Sequence, residues 1–454
     1  MAVRATPEEV AAALGKTLGG QVRDLRRLSG GASRITSAFD LEAEGIRRPL
    51  ILQQDRGDGV DSGAGGSQAR AERSLLEAAG AAGVPVPAVV AMGEGDVLGA
   101  GWLVVERIEG ETIPRKLLRD PEWTGALAVL AAQCGRALAA IHSIDPDGIE
   151  GLAPKDPLRD PRPLLDVLGE VRPALELGAR WLDAHRPPSR RRTLVHGDFR
   201  IGNLLVGPEG LRAVLDWELA HGGDPAEDIG WLCAPAWRFG GPGPVGGFGQ
   251  LPELLESYAA AGGEAIEADR VHWWQVYATV KWAAICAMQA SAHLGGSTRS
   301  VELAAIGRRI CESEWDLFVL LGIAPSDPPP TARAAPALSA PFGRPTAAEL
   351  VEAVREYVER NVMERSEGGV RFEARIARNV LQTVERELAL GPAIAVAHAA
   401  RVRALGFPDD RTLAIAIRAG DLDELFADVA GALAASARDQ LLVANPAYLP
   451  ATSG

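Results

Sequence analysis

The chain has 454 residues, 47% of them hydrophobic and 24% charged, and carries a formal net charge of −13. At roughly 100–200 residues per domain, this length predicts two to four structural units with enough apolar material for real cores. Forty-seven Lys and Arg against sixty Asp and Glu argue against a chain whose main task is gripping nucleic acid or an anionic membrane.

Lysine occurs only as Lys16, Lys116, Lys155 and Lys281, and arginine supplies every other cation. With 51 Gly, 31 Pro and abundant Ala, this reads as a compositional habit. Cys134, Cys233, Cys286 and Cys311 stand singly, with no CxxC pair. Buried, reduced thiols in a cytoplasmic protein are the expectation. Residues 1–18 lack the apolar core of a signal peptide. The most apolar stretch, residues 126–141, is interrupted by Gln133 and Arg136 and reads as too short to span a bilayer.

In chain order, Val22–Leu28 and Ile35–Leu41 predict strands flanking a Gly-rich turn, Ser29-Gly30-Gly31-Ala32-Ser33. Pro49–Leu52 opens a third strand, residues 56–66 read as a loop, Ser67–Ala79 as a helix and Trp102–Glu106 as a buried strand. Leu127, Leu130, Cys134, Leu138 and Ile141 recur at helical spacing and predict one apolar helix face ending near His142. Strands are expected around Thr193–Val195 and within Leu204–Asp216, then mostly helix from Trp231 to Leu321. Residues 324–345 are Pro/Ala-rich and read as a semi-extended linker. Thr346-Ala-Ala-Glu349 is a capping-box signature. It opens a helix with Leu350, Val354, Tyr357 and Val358 on one side, followed by a second helix bearing Ile376, Val380, Val384 and Leu388.

The most informative string is Leu194-Val-His-Gly-Asp-Phe-Arg-Ile-Gly-Asn-Leu-Leu205, followed by Ala213-Val-Leu-Asp-Trp-Glu218. Asp198, Asn203 and Asp216 sit inside or beside apolar β-runs, where a buried charge is costly without a partner. A divalent cation is a natural partner for an Asn oxygen and a carboxylate there. Phosphoryl transfer uses such a set: one carboxylate for the attacking hydroxyl, and an amide and a second carboxylate for Mg²⁺ on the nucleotide.

His196-Gly-Asp198 with Asn203 and Asp216-Trp-Glu218 closely resembles the catalytic and metal loops of the aminoglycoside phosphotransferase and choline kinase superfamily, over roughly residues 20–320. The resemblance implies an α+β, bilobal protein-kinase-like fold: a small antiparallel-sheet N-lobe (1–107) and a mostly helical C-lobe (108–323). The linker (324–345) and a C-terminal all-α domain (346–454) follow. It further implies Asp198 as catalytic base, Asn203 and Asp216 as Mg²⁺ ligands, His196 as a scaffold residue, and Asp224 and Asp228 as braces of the loop. Gly30, Gly31 and Ser33 resemble the nucleotide-covering turn, and Glu72 stands where the family has its ion-pairing glutamate. Trp102–Ile108, through Glu106 and Ile108, resembles the hinge that bonds adenine.

One position departs from the family pattern. The third strand should carry a phosphate-contacting cation that pairs with Glu72, yet it reads Leu52-Gln53-Gln54-Asp55. Gln53 supplies no charge, and Arg56 substitutes only if the strand is offset.

The Gly-Gly-x-Ser turn, Val84-Pro-Val-Pro, Leu138-Ala-Ala-Ile-His142 and Leu215-Asp-Trp-Glu218 resemble the kinase domain of acyl-CoA dehydrogenase family members ten and eleven. That group implies a hydroxyacyl-CoA acceptor. The expected activity is therefore ATP- (or GTP-) and Mg²⁺-dependent phosphorylation of a small-molecule hydroxyl. The alternatives are a nucleotide-binding pseudokinase or scaffold that recruits an acyl-CoA enzyme through the C-terminal domain, and an aminoglycoside- or choline-type kinase. Six tryptophans, Trp217, Trp231, Trp237, Trp273, Trp274 and Trp282, fall in the acceptor region as core or as an aromatic wall. Neither a nucleic-acid nor a membrane partner is expected.

Overall fold

The computed structural model describes residues 5–28, 34–55, 65–150, 152, 165–166, 171–330 and 344–450. The chain forms two compact units, Met1–Asp156 with Pro188–Trp274, and Pro157–Pro187 with Gln275–Gly454. The division falls inside the Ala268–Leu294 helix and not at the Pro/Ala-rich stretch, of which residues 331–343 lie outside the described residues.

The first unit opens with a helix, Pro7–Leu18, set by a Thr6/Glu9 capping box and ended by left-handed Gly19. Five strands follow: β1 (Gln21–Arg27), β2 (Arg34–Ala43), β3 (Ile46–Asp55), β4 (Val89–Asp96) and β5 (Gly99–Glu106). They form an antiparallel sheet in the order β1-β2-β3-β5-β4. Side chains alternate between sheet faces with period two. One face buries Phe39, Leu41, Leu50, Leu52, Trp102 and Val104 with Leu14 of the first helix. The opposite face carries the cross-strand pairs Arg34↔Asp55, Thr36↔Gln53 and Gln53↔Leu103. The sequence strand at 49–52 is thus the middle of a ten-residue strand.

The Gly65–Ala81 helix buries Ala69, Glu72, Leu76 and Ala79 along a 3-4-3 stripe. The helix predicted to end near His142 runs Thr124–Ser143, with Leu130, Cys134, Leu138 and Ile141 fully buried and Leu127 partly so. With the turn before it, the run Pro121–Ser143 is 23 residues and is long and apolar enough to cross a membrane by length and composition. The sequence reading of this stretch as too short is corrected on length. Half of its apolar window is buried within the fold, where Gly135 lets the backbone of Leu254 and Tyr258 come close.

Further along, β6 (Thr193–Val195) pairs with β9 (His221–Gly223), and β7 (Leu204–Gly207) forms a hairpin with β8 (Gly210–Val214). β9 is three residues long and was not legible in the sequence. Trp231–Leu321 is mostly helical, as the sequence predicts. Glycines and prolines between 240 and 249 hold a run of turns before the Leu251–Ala260 helix.

The second unit is helical among the described residues. Its core joins Ala174 and Leu177 of the Pro173–Ala184 helix and Phe318 of Ile310–Leu320 to Val402, Leu413, Ile417, Val429, Leu433 and Ala437. The capping box at Thr346/Glu349 forms as the sequence predicts. The helix it opens leaves Leu350, Val354 and Tyr357 exposed. The stripe from Ile376 to Leu388 belongs to a single 37-residue helix, Gly368–Ala404. All four cysteines are buried and free.

Candidate active site

The His-Gly-Asp segment leaves β6 in a tight turn that only glycine accommodates. Gly197 has φ +79°, and a Cβ there would lie 2.4 Å from the Leu219 carbonyl oxygen. His196 is fully buried against Phe199 and Trp217. Its Nε2–H donates to the Leu215 carbonyl (3.1 Å), and its Nδ1 accepts from Asp198 N–H (3.2 Å). Burial holds the imidazole below its ordinary pKa despite the nearby Asp228 and Asp198 charges. Leu215 in turn donates its N–H to the Asn203 carbonyl (2.9 Å). One imidazole and one backbone bond thus tie the segment bearing Asp198 and Asn203 to the strand end bearing Asp216.

Asp228 braces the same loop from the Ala226–Cys233 helix. Completely buried, it accepts from the backbone N–H of His196 (2.8 Å) and Gly197 (2.9 Å) and from His142 Nε2 (3.2 Å). Tyr258 lies 3.1 Å from His142 Nδ1. The Tyr258 hydroxyl therefore donates to Nδ1 when the ring proton sits on Nε2. Burial pushes the Asp228 carboxyl up, but the His142 hydrogen bond and the loop contacts outweigh it and hold the group low. Asp224 is paired with Arg270, and Glu227 lies 3.0 Å from His221 Nε2. The acidic Asp224–Asp228 stretch is therefore engaged in structure.

Three N–H donors fix Asp198: Trp231 Nε1 (2.8 Å), Asn203 Nδ2 (2.6 Å) and Arg200 Nε (3.0 and 3.1 Å to the two oxygens). A carboxylate offers about four acceptor positions, and these donors, with Arg200 Nε shared between both oxygens, engage all of them. Arg200 lies over Trp237, 4.8 Å from the ring centroid, and Trp231 packs on Trp237 at 5.2 Å. Both indoles are buried, and Trp231 reaches Asp198 from within the core. Trp217, Trp273 and Trp274 are buried.

Asn203 is 6% exposed and spends its amide N–H on Asp198, leaving Oδ1 without a hydrogen bond among the described residues. Asp216 is a non-glycine residue at φ +65°. It is open to solvent, yet partial burial and the Glu218 and Asp198 charges push its carboxyl up to about 6, against Arg200 and Arg34. An oxygen acceptor beside carboxylates that repel one another is the donor set a hard divalent cation takes, so Asn203 and Asp216 fit Mg²⁺. No group of three or more His, Cys, Asp or Glu at metal-ligand distance occurs among the described residues.

The sheet supplies the rest. Glu72 is buried, and its partner is Arg34, at the start of β2. This corrects the sequence expectation that Glu72 lacks a cation: the pairing crosses from β2 to the helix and is invisible on β3. Gln53 lies on the Arg34 face of the sheet, whereas Gln54 points to the other side and donates to the Leu98 carbonyl (2.6 Å). At the end of β5, Glu106 is exposed and gives its N–H to Ala88 (3.0 Å), and Arg107 gives its N–H to Pro49 (3.1 Å). Ile108 N–H makes no backbone hydrogen bond among the described residues. Gly30, Gly31, Ser33 and Arg56 lie outside the described residues. Arg34 and Arg200 are the site residues that sequence reasoning missed, although both adjoin motifs it marked, and Trp231, read there as core or aromatic wall, proves to be a donor to Asp198.

The profile of the phosphotransferase enzyme family matches residues 24–274, more than half of the chain, and a domain of unknown function, DUF6285, matches residues 364–448. Acyl-CoA dehydrogenase family member 10 of Mus musculus is 33% identical over 174 residues, 36% of this chain and 16% of that protein. Acyl-CoA dehydrogenase family member 11 of Homo sapiens is 27% identical over 164 residues, 32% of this chain and 20% of that protein. The match thus spans a fifth or less of either relative's length. A crystal structure from Ralstonia eutropha, provisionally assigned as an aminoglycoside phosphotransferase, superimposes with a TM-score of 0.54 at 20% identity. It covers 70% of this chain and 99% of that one, and shares the fold.

Proposed function

The chain belongs to the phosphotransferase enzyme family, and on that premise we propose that it transfers the γ-phosphoryl group of ATP to the hydroxyl of a small molecule. The observation that carries this reading is the three-donor cradle around Asp198, tied by His196 and Leu215 to Asn203 and Asp216. Asp198 is the base that orients and deprotonates the acceptor hydroxyl, and Trp231, Arg200 and Asn203 hold its carboxylate in place. Asn203 and Asp216 would hold Mg²⁺, which neutralises developing charge on the phosphates when bound. Glu106 and Ile108 present the hinge backbone to adenine.

The acceptor we favour is a hydroxyacyl-CoA. Two named relatives are acyl-CoA dehydrogenase family members. A polycationic aminoglycoside would want a carboxylate-lined cleft, whereas of Glu218, Asp224, Glu227 and Asp228 only Glu218 is exposed. The C-terminal domain we assign to docking an acyl-CoA enzyme, and the buried free thiols suit a cytoplasmic setting. Purified protein given Mg-ATP and a panel of hydroxyacyl-CoA thioesters should consume ATP, and Asp198→Asn should abolish it. Undiminished turnover in that variant overturns the assignment of the base. Turnover on aminoglycosides alone overturns the acceptor.

A further inference from the structure

Arg34 is about 10% exposed and faces two acids: its Nη1 pairs with Glu72, and its Nε lies 3.3 Å from Asp55 Oδ1. Even so, Nε and Nη2 are buried without a hydrogen-bond partner among the described residues, as are Gln53 Oε1 and Asp55 Oδ2. Buried polar atoms are seldom left unmatched, and here four fall on three residues of one sheet face, which marks a place where a ligand or water belongs. Two of them are donors on a guanidinium fork, whose geometry matches phosphate oxygens.

The register explains how this residue comes to be there. Gln53 stands opposite Thr36 and Asp55 opposite Arg34, so Arg34 is the diagonal neighbour of Gln53 on the same face. Diagonal neighbours are about 7–8 Å apart, within reach of long side chains. An arginine at 34 can therefore bring its charge to the place a basic residue at 53 would occupy. It also follows directly on the Gly-rich stretch at 29–33. Its charge already acts on the Asp216 carboxyl. Burial pushes Asp55 up, against the pull of Arg34.

We propose that Arg34, held by Glu72 and Asp55, is the phosphate-contacting cation of this site, acting from β2 in place of a basic residue on β3. The proposal rests on the phosphotransferase reading above and concerns nucleotide binding, so it can be tested without turnover. Calorimetric titration of the full chain with adenosine, ADP and ATP would compare wild type with an Arg34→Gln/Glu72→Gln double variant, which leaves no carboxylate stranded at 72. ATP binding should weaken about ten- to hundredfold, the worth of one charged hydrogen-bond pair, with adenosine binding within about twofold of wild type. Adding Gln53→Lys should recover most of the ATP affinity.

ATP affinity unchanged in the double variant, or an equal loss for adenosine and ATP, overturns the proposal. If the double variant does not fold, Arg34→Lys reads the same point, since it keeps the charge and loses the fork. ATP should then weaken several-fold and adenosine stay unchanged, and equal affinities overturn the proposal. A wild-type chain that binds adenosine, ADP and ATP equally sinks the role of Arg34 alone. One that binds none of them sinks the phosphotransferase reading first.

Discussion

Asp228→Asn isolates the brace beneath the Asp198 loop. Asp228 is fully buried and receives three donors, two of them the consecutive backbone N–H groups of His196 and Gly197. An asparagine can keep the His196 and His142 bonds by placing its amide oxygen where Oδ2 stands. Its NH₂ group then faces the Gly197 N–H, donor against donor. The variant loses one hydrogen bond to a charged acceptor, about 1.5–3 kcal/mol, and strands a buried donor at about 1–3 kcal/mol more. A loss of about 3–5 kcal/mol is expected, read from the urea midpoint of the tryptophan-fluorescence transition.

The same residue sets a pH dependence. Its folded pKa lies below the unfolded value of about 3.9. Its contribution is therefore complete above that value and is lost as pH falls through the folded pKa. Wild type should lose its advantage over the variant below about pH 4. A stability difference under about 1 kcal/mol at neutral pH, or one that does not shrink in acid, refutes the bracing argument.

Other changes test other joints. Trp231→Phe removes the indole donor to Asp198 at 2.8 Å. It should lower kcat about tenfold while the KM for ATP holds, since the base loses orientation and the nucleotide loses nothing. Gly197→Ala forces a Cβ into the Leu219 carbonyl at φ +79°. It should cost at least about 2 kcal/mol in thermal unfolding, or leave insoluble protein. In the second unit, Tyr448 donates to Asp316 (2.8 Å) and Asn445 to Glu312 (2.9 Å). Tyr448→Phe should destabilise by about 1–3 kcal/mol, and a melting temperature equal to wild type would remove that tie from the account.

Legibility followed sequence distance. His196, Asp198, Asn203 and Asp216 were readable because a short loop and a hairpin bring them together, and because polar residues stand out in apolar β-runs. Glu72 was placed on its helix from local composition, but its partner sits 38 residues away on a strand whose relevant feature is a diagonal neighbour. The donor from Trp231 to Asp198 spans 33 residues, and an indole in that region reads equally well as core. Short β-prone runs predicted strands, and the family resemblance implied the sheet they form. A three-residue strand such as β9 carries no period to detect. The C-terminal helices announced themselves through periodicity and a capping box. What they pack against could not be read, since apolar stripes specify burial and not the surface that buries them.

The second unit's core has a consequence for how this gene can be cut. Its apolar cluster is assembled from both sides of the Pro/Ala-rich stretch, with Ala174, Leu177 and Phe318 on one side and Val402, Leu413 and Val429 on the other. A polypeptide ending at residue 345 would therefore be no free-standing kinase. It would present Leu177 and Phe318, now 3% and 0% exposed, to water. The complementary fragment would bare the other half of the same cluster. A nonsense mutation late in the reading frame should then act as a loss of the whole product through aggregation and proteolysis. The two fragments, by the same logic, should rescue one another only when co-synthesised.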